Sequence, residues 1–366
     1  MKIRAAVVRQ PRESFSVEEL DLGQLRPDEV LVKIVATGVC HTDLVVRDQI
    51  LPVPLPAVLG HEGAGIVEAA GSEVTTLEVG DNVILGFAAC RQCPQCESGE
   101  PAYCKDFAAL NFGGHRTDGS TCLHDGDQDV SSHFFGQSSF ATHAIAAARN
   151  LVKVSKDAPL PLLGPLGCGI MTGAGAVLKA LAVKEGESLL VTGAGPVGLS
   201  GAMAAASVGA GVIIVSDPLA SRREMALELG ATHAIDPASG PLAEQVRAIL
   251  PGGADTMLDT SGVAAVIEDG LNAIGVLGRL AMVGVPRSAD AAISLNLLHM
   301  LSLGLQVSGV TEGNADPQNF LPFLINLHAE GRFPFDKMIR TYPLDQINEA
   351  IADQHAGRCV KAVLTM

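Results

Sequence analysis

Residues 188–198 read Ser188-Leu189-Leu190-Val191-Thr192-Gly193-Ala194-Gly195-Pro196-Val197-Gly198, an apolar run that breaks into G-x-G-x-x-G and then into small residues. A buried strand entering a glycine-rich turn and a helix start opens a doubly wound α/β sheet. The three glycines serve different ends. Gly193 permits the tight turn, Gly195 lets a pyrophosphate approach the backbone, and Gly198 lets helix and strand pack closely. The helix start at Pro196 and Val197 offers unpaired N–H groups to phosphate. The next apolar run ends at Asp217, 24 residues after Gly193. An acid there accepts from adenosine ribose hydroxyls and repels a 2′-phosphate, which favours NAD over NADP. Arg222 partly offsets that repulsion.

Beyond this segment, strand candidates at residues 188–192, 212–216, 233–236, 256–259, 279–283 and 305–308 alternate with helical windows such as 220–229, where Met225 and Leu229 share a face. Such alternation predicts a parallel, doubly wound sheet. Residues 188–216 carry no charge and are long enough to span a membrane, but six glycines and Pro196 fit strand, helix and strand better. The earlier part is β-rich, with short runs at residues 3–8, 30–36, 65–69 and 82–85 and glycines at 60, 63, 65, 71 and 80, as in an irregular antiparallel barrel. Residues 104–134 read as a polar surface excursion. A helical window with Leu321, Leu324 and Leu327 and a short strand near 360–364 return to this first part. The expected division is residues 1–169 completed by 313–366, with 170–312 as the dinucleotide domain.

The chain has 366 residues, 48% of them hydrophobic, and a net charge of −15. That balance lacks the basic face a nucleic-acid binder needs. The amino-terminal residues have no long apolar stretch resembling a secretory signal, so the cytoplasm is the expected compartment and no membrane partner is expected.

Cys90, Cys93, Cys96 and Cys104 form C-x2-C-x2-C-x7-C. Four thiolates so close in sequence suit one tetrahedral structural zinc. An iron–sulfur cluster is the rival, but its usual run ends C-x3-C-P, which is not the spacing here. Being fully ligated, such a zinc supports folding and not catalysis.

Three further segments are Gly38-Val39-Cys40-His41-Thr42-Asp43, Gly60-His61-Glu62-Gly63 and Gly164-Pro165-Leu166-Gly167-Cys168-Gly169. With the cysteine lobe and the glycine loop, they occur in the order found in the zinc-dependent medium-chain alcohol dehydrogenases, which the whole chain resembles. Val53-Pro54-Leu55-Pro56, residues 134–140 (Phe134-Phe135-Gly136-Gln137-Ser138-Ser139-Phe140) and Phe333-Pro334-Phe335-Asp336 resemble the aryl-alcohol (benzyl-alcohol) dehydrogenases of that family. Allylic terpenoid-alcohol dehydrogenases of the geraniol and perillyl type share much of this, notably Thr311-Glu312-Gly313.

The resemblance implies a GroES-like barrel and a Rossmann domain, NAD, two zinc ions per chain and assembly as a homo-dimer or homo-tetramer. Cys40, His61 and Cys168 would hold a catalytic zinc; two thiolates and an imidazole are the established set in alcohol dehydrogenases, so this agrees with a known pattern. Glu62 would lie beside the metal and Asp43 would orient His61. Thr42 would take the alcohol proton, Thr172 and Val197 would frame the nicotinamide, and His41 and Lys361 would contact cofactor phosphates. Val45 stands where liver-type members have a relay histidine, so proton release needs another route. Leu51, Phe87, Phe134, Phe135 and Val285 would line an apolar pocket for a primary aromatic alcohol, with plain core packing the alternative for each Phe. Two other readings are a zinc-free quinone or enoyl reductase, which lacks these ligands, and a zinc-ribbon binding module without enzymatic activity.

Overall fold

The computed structural model describes residues 1–366 apart from 287 and 289. The chain divides into two compact units, Met1–Cys168 with Asp316–Pro322 and Met338–Met366, and Gly169–Ala315 with Phe323–Lys337.

The second unit is built on a parallel sheet. Among the described residues its six strands run His233–Ile235, Val212–Ser216, Ser188–Thr192, Ala254–Asp259, Ile274–Met282 and Gln306–Gly309 across the sheet. In chain order this is 3-2-1-4-5-6, the doubly wound arrangement with its switch point beside the first strand. The chargeless residues 188–216 form the strand Ser188–Thr192, the helix Pro196–Ser207 and the strand Val212–Ser216. Both strands are almost wholly buried, as a central parallel sheet requires. No single helix among the described residues is long and apolar enough to cross a membrane. The strand expected at residues 279–283 begins earlier, at Ile274, because Gly275, Gly278 and a left-handed Leu277 (φ 59°) interrupt its β pattern in sequence without ending its pairing.

The first unit carries two mainly antiparallel sheets. One has the order Ala57–Val58, Lys2–Val8, Ser16–Leu22, Leu123–Asp125, Gln128–Val130. The other has Leu151–Val154, Asn82–Leu85, Gly63–Ala70, Glu29–Gly38, Lys361–Thr365 and Ile339–Pro343, with His143–Ala147 also paired to Glu29–Gly38. Residues 104–134 are more than a surface excursion. They contribute the helix Phe107–Phe112 and a hairpin edge to the first sheet, and bury Asn111, Cys122, Leu123 and Val130. Their polar composition hides this because hydroxyls serve inside: Thr121 Oγ1 donates to Val130 O at 2.6 Å and lies 2.9 Å from Ser132 Oγ.

The C-terminal part does not return to the first unit as a block. Residues 313–315 and Phe323–Lys337 belong to the second. There Arg332 Nη2 donates to Ser207 O at 2.6 Å and Lys337 pairs with Glu228 at 2.9 Å.

Candidate active site

In the first unit the helix His41–Arg47 opens directly after Cys40. Asp43, fully buried in its first turn, accepts the Cys40 backbone N–H at 2.9 Å through Oδ2. Its Oδ1 accepts the Gly60 N–H at 3.1 Å and faces His61 Nδ1 at 2.9 Å. An acceptor at Nδ1 keeps the ring proton there and leaves the Nε2 lone pair for a metal. His61 Nε2 is buried without a hydrogen-bond partner, as an open ligand position would be. Ligand atoms of Cys40, His61, Glu62 and Cys168 all lie within 4.8 Å of one another. A hydrogen bond from Cys168 holds the Cys40 thiol well below its ordinary pKa despite burial. Sulfur, sulfur and imidazole in this spacing fit zinc.

Lys361 departs from expectation. It is 1% exposed, donates to Val39 O at 3.0 Å and contacts the Glu62 carboxylate, two partners inside this unit that the sequence did not suggest. Burial opposes that charge, but Glu62 and Cys40 hold its pKa above the ordinary lysine value. Burial pushes the Glu62 carboxyl up to about 7, against the pull of Lys361.

An aromatic wall surrounds His61. Phe135 stacks on its ring at 4.4 Å and 24°, and Phe134 meets it edge-on at 5.2 Å and 89°. Both come from a turn with left-handed backbone at His133, Phe135, Gly136 and Ser138, a cost borne where surrounding contacts over-determine it. Here Ser138 Oγ donates to Val58 O at 2.6 Å, and Gln137 bridges His61 O and the Gly63 N–H, each at 3.0 Å. Phe87, Phe134 and Phe135 are buried, so they form the wall's body. Phe107 and Phe112, which sequence reasoning missed, pack on Phe135 at 6.3 and 5.3 Å and keep exposed surface. Only their lone aromatic character within a polar stretch signalled them. Of the other expected site residues in this unit, Leu51 and His41 are exposed and Thr42 Oγ1 lies 3.7 Å from Cys40 Sγ.

Cys90, Cys93, Cys96 and Cys104 also gather their sulfurs within 4.8 Å. Backbone N–H groups of Lys105 and Cys96 draw Cys93 down to about 6, while burial pushes Cys96 up to about 12. Four sulfurs crowded together fit a cation that would ionise them all.

In the second unit Gly195 begins the helix Pro196–Ser207 with no side-chain cap, and a Cβ there would meet nothing within 4 Å. That open approach to bare helix N–H groups fits a pyrophosphate. Asp217 accepts the Ala194 N–H and the Leu219 N–H, both at 2.8 Å. Arg222 is buried and donates to Ala194 O at 3.2 Å, so it braces the loop where an offset to 2′-phosphate repulsion was expected. Thr172 is buried on the helix Gly169–Gly175, Val197 is half-buried, and Val285 is 38% exposed.

Two family models match, the alcohol dehydrogenase GroES-like domain over residues 26–156 and the zinc-binding dehydrogenase over residues 196–326. A geraniol dehydrogenase from Castellaniella defragrans is 48% identical, covering 99% of this chain and 97% of its own. The chain belongs to the zinc-binding medium-chain alcohol dehydrogenase family. The solved structure of an alcohol dehydrogenase zinc-binding domain protein from Burkholderia ambifaria is 49% identical with a TM-score of 0.98, covering 100% of this chain and 99% of that one. That of a benzyl alcohol dehydrogenase from Acinetobacter calcoaceticus is 45% identical at 0.97, with the same coverage. As a zinc-dependent alcohol dehydrogenase the protein is neither a zinc-free reductase nor a zinc-ribbon module, and its family uses zinc and NAD(P).

Proposed function

We propose that this dehydrogenase oxidises a primary aromatic alcohol of the benzyl type to its aldehyde, with NAD as acceptor and two zinc ions per chain, one catalytic and one structural. The observation that carries the substrate class is the aromatic wall in which Phe134 and Phe135 pack on His61 and Phe107 and Phe112 pack in turn on Phe135. Aromatic edges and faces there add about 0.5–1.5 kcal/mol per ring contact to an aromatic substrate. Similarity to a benzyl alcohol dehydrogenase supports the same reading.

Zinc at Cys40, His61 and Cys168 would supply Lewis acidity to the alcohol oxygen, and NAD at the glycine loop would supply the hydride acceptor. The chain's own groups do the rest. Asp43 holds His61 in the tautomer that presents Nε2, and Thr42 Oγ1, 3.7 Å from Cys40 Sγ, would accept a hydrogen bond from the alcohol hydroxyl and relay its proton by releasing its own to water. Glu62 and Lys361 set the charge behind the cysteines. Asp217 favours the unphosphorylated adenosine ribose.

Similarity to a geraniol dehydrogenase supports a second reading, an allylic terpenoid alcohol. Both substrates yield a conjugated aldehyde and fill an apolar pocket. Initial rates with benzyl alcohol, geraniol, perillyl alcohol and ethanol, each with NAD and NADP, separate them. The aryl reading expects benzyl alcohol to lead in kcat/KM; geraniol leading by tenfold or more, a margin of about 1.4 kcal/mol, would replace it. Leu297, Leu298 and Leu301, all above 70% exposed, lie near the edge strand Gln306–Gly309 in sequence and support association with a second copy.

A further inference from the structure

The second unit contains a buried acid that the dinucleotide reading leaves unused. In the 3-2-1-4-5-6 order, the glycine loop and Asp217 follow Ser188–Thr192 and Val212–Ser216, so the adenosine half of a dinucleotide lies on that side of the switch point. The other mononucleotide half then lies over the carboxyl ends of Ala254–Asp259, Ile274–Met282 and Gln306–Gly309.

Past Gln306–Gly309 the chain reaches a turn, Glu312–Asn314, whose three residues are all left-handed, with φ of 50°, 68° and 51°. The turn is seated on the helix Gly169–Gly175. A Cβ at Gly313 would lie 2.8 Å from the carbonyl oxygens of both Met171 and Thr172. That close approach delivers the Glu312 side chain to Thr172, whose Oγ1 donates to Glu312 Oε2 at 3.4 Å. Both residues are more than nine-tenths buried. The helix also touches the dinucleotide loop, since a Cβ at Gly173 would collide with Val197 O. An acid has thus been carried, on strained backbone, to the end of the sheet where the nicotinamide half belongs. A nicotinamide ring offers one set of N–H donors, those of its carboxamide.

We propose that Glu312, held by its left-handed turn and by Thr172, accepts the carboxamide N–H of the nicotinamide and so fixes the rotation of the ring. The proposal rests on the dinucleotide reading above. It goes beyond that reading in assigning the acceptor to a side chain of the turn.

The test is binding. Purified protein and the variants Glu312→Ala and Glu312→Gln are titrated by calorimetry with NADH, with ADP-ribose, which has no nicotinamide, and with reduced 3-acetylpyridine adenine dinucleotide, which has no amide N–H. The unmodified protein should bind NADH about tenfold more tightly than the acetylpyridine analogue, the scale of a hydrogen bond to a charged group. Glu312→Ala should lose about that factor for NADH and leave ADP-ribose and the analogue within about twofold, with Glu312→Gln recovering part of the loss. Unchanged NADH affinity in Glu312→Ala, or equal loss of NADH and ADP-ribose, overturns the proposal. Should that variant not fold, equal affinity of the unmodified protein for NADH and the analogue overturns it as well. Absence of ADP-ribose binding to the unmodified protein would instead bring down the dinucleotide reading itself.

Discussion

Asp43 Oδ1 lies 2.9 Å from His61 Nδ1 while Oδ2 of the same carboxylate holds the Cys40 N–H, so one acid aligns two of the proposed zinc ligands. Replacing it with Asn keeps the shape but removes a charge and an acceptor that fixes the His61 tautomer. Asp43→Asn should weaken zinc at this centre by about 10–100-fold while the cysteine lobe keeps its ion. Chelator competition checks this, and equal zinc retention in parent and variant would refute the role given to Asp43.

The two zinc centres should separate under substitution. Cys93→Ser opens a closed thiolate shell whose metal binding is coupled to folding, so it should lower Tm or yield. Cys168→Ser leaves that lobe whole and should give a folded, inactive protein. Each variant should retain about one zinc where two are expected for the parent. Metal analysis beside thermal melts decides, and two zincs retained in either variant contradicts the scheme.

Asp217 braces Ala194 through a backbone N–H besides the ribose contact proposed for it. Asp217→Ser keeps an oxygen acceptor and removes the charge. NAD should bind more weakly and NADP relatively better, shifting the ratio of kcat/KM values by about tenfold or more. An unaltered NAD/NADP ratio would dismiss the assignment.

Glu29 gives the chain an acid-sensitive tie. Burial alone would raise its pKa, but the nearby His133 and hydrogen bonds from Arg116 and the Arg26 N–H bring it down to about 2. Arg116 grips both carboxylate oxygens, at 2.6 and 2.7 Å. An unfolded glutamate titrates near about 4.3, so the folded value is depressed. The resulting stability, up to about 3 kcal/mol, is present above that value and is lost as pH falls from about 4.5 to 2. In Glu29→Gln, stability at pH 7 should drop and the acid slope in that window should flatten. Parallel slopes for parent and variant would show that Glu29 is not the group responsible.

Phe135 stacks on His61, so its truncation disturbs a zinc ligand along with any pocket. Phe112 is the cleaner probe, since it packs on Phe134 and Phe135 and does not contact a ligand ring. Benzyl alcohol should exceed ethanol in kcat/KM by about a hundredfold, and Phe112→Ala should lower the benzyl value by about two- to tenfold with ethanol little changed. Parity of the two alcohols in the parent enzyme would defeat the aryl reading and leave the dehydrogenase assignment standing.

Legibility in the sequence followed burial. Ser188–Thr192 and Val212–Ser216 were readable to the residue because strands buried on both faces give unbroken apolar runs bounded by glycine and aspartate. Ser16–Leu22 was not, since it is mostly half-exposed and carries Glu18, Glu19 and Asp21 on one short strand. Cys40, His61 and Cys168 were found through the company each keeps, and the structure brings them together. Lys361 escaped the same logic: a lysine's composition and context do not reveal that a distant acid will meet it in the interior. Phe107 and Phe112 went unread because nothing local marks a ring that packs on another loop.

The Lys361 contact has a consequence for biosynthesis. Its Nζ reaches the carbonyl of Val39, a residue made 322 positions earlier. At ribosomal rates of about 5–20 residues per second, the segment bearing Glu62 and His61 waits roughly 15–60 s for its cation. Throughout that interval, closing the interior around Glu62 would bury it without that cation, which favours its protonated form. That cation arrives only when the strand Lys361–Thr365 docks beside Glu29–Gly38, so the last strand made completes the ion pair behind the cysteines.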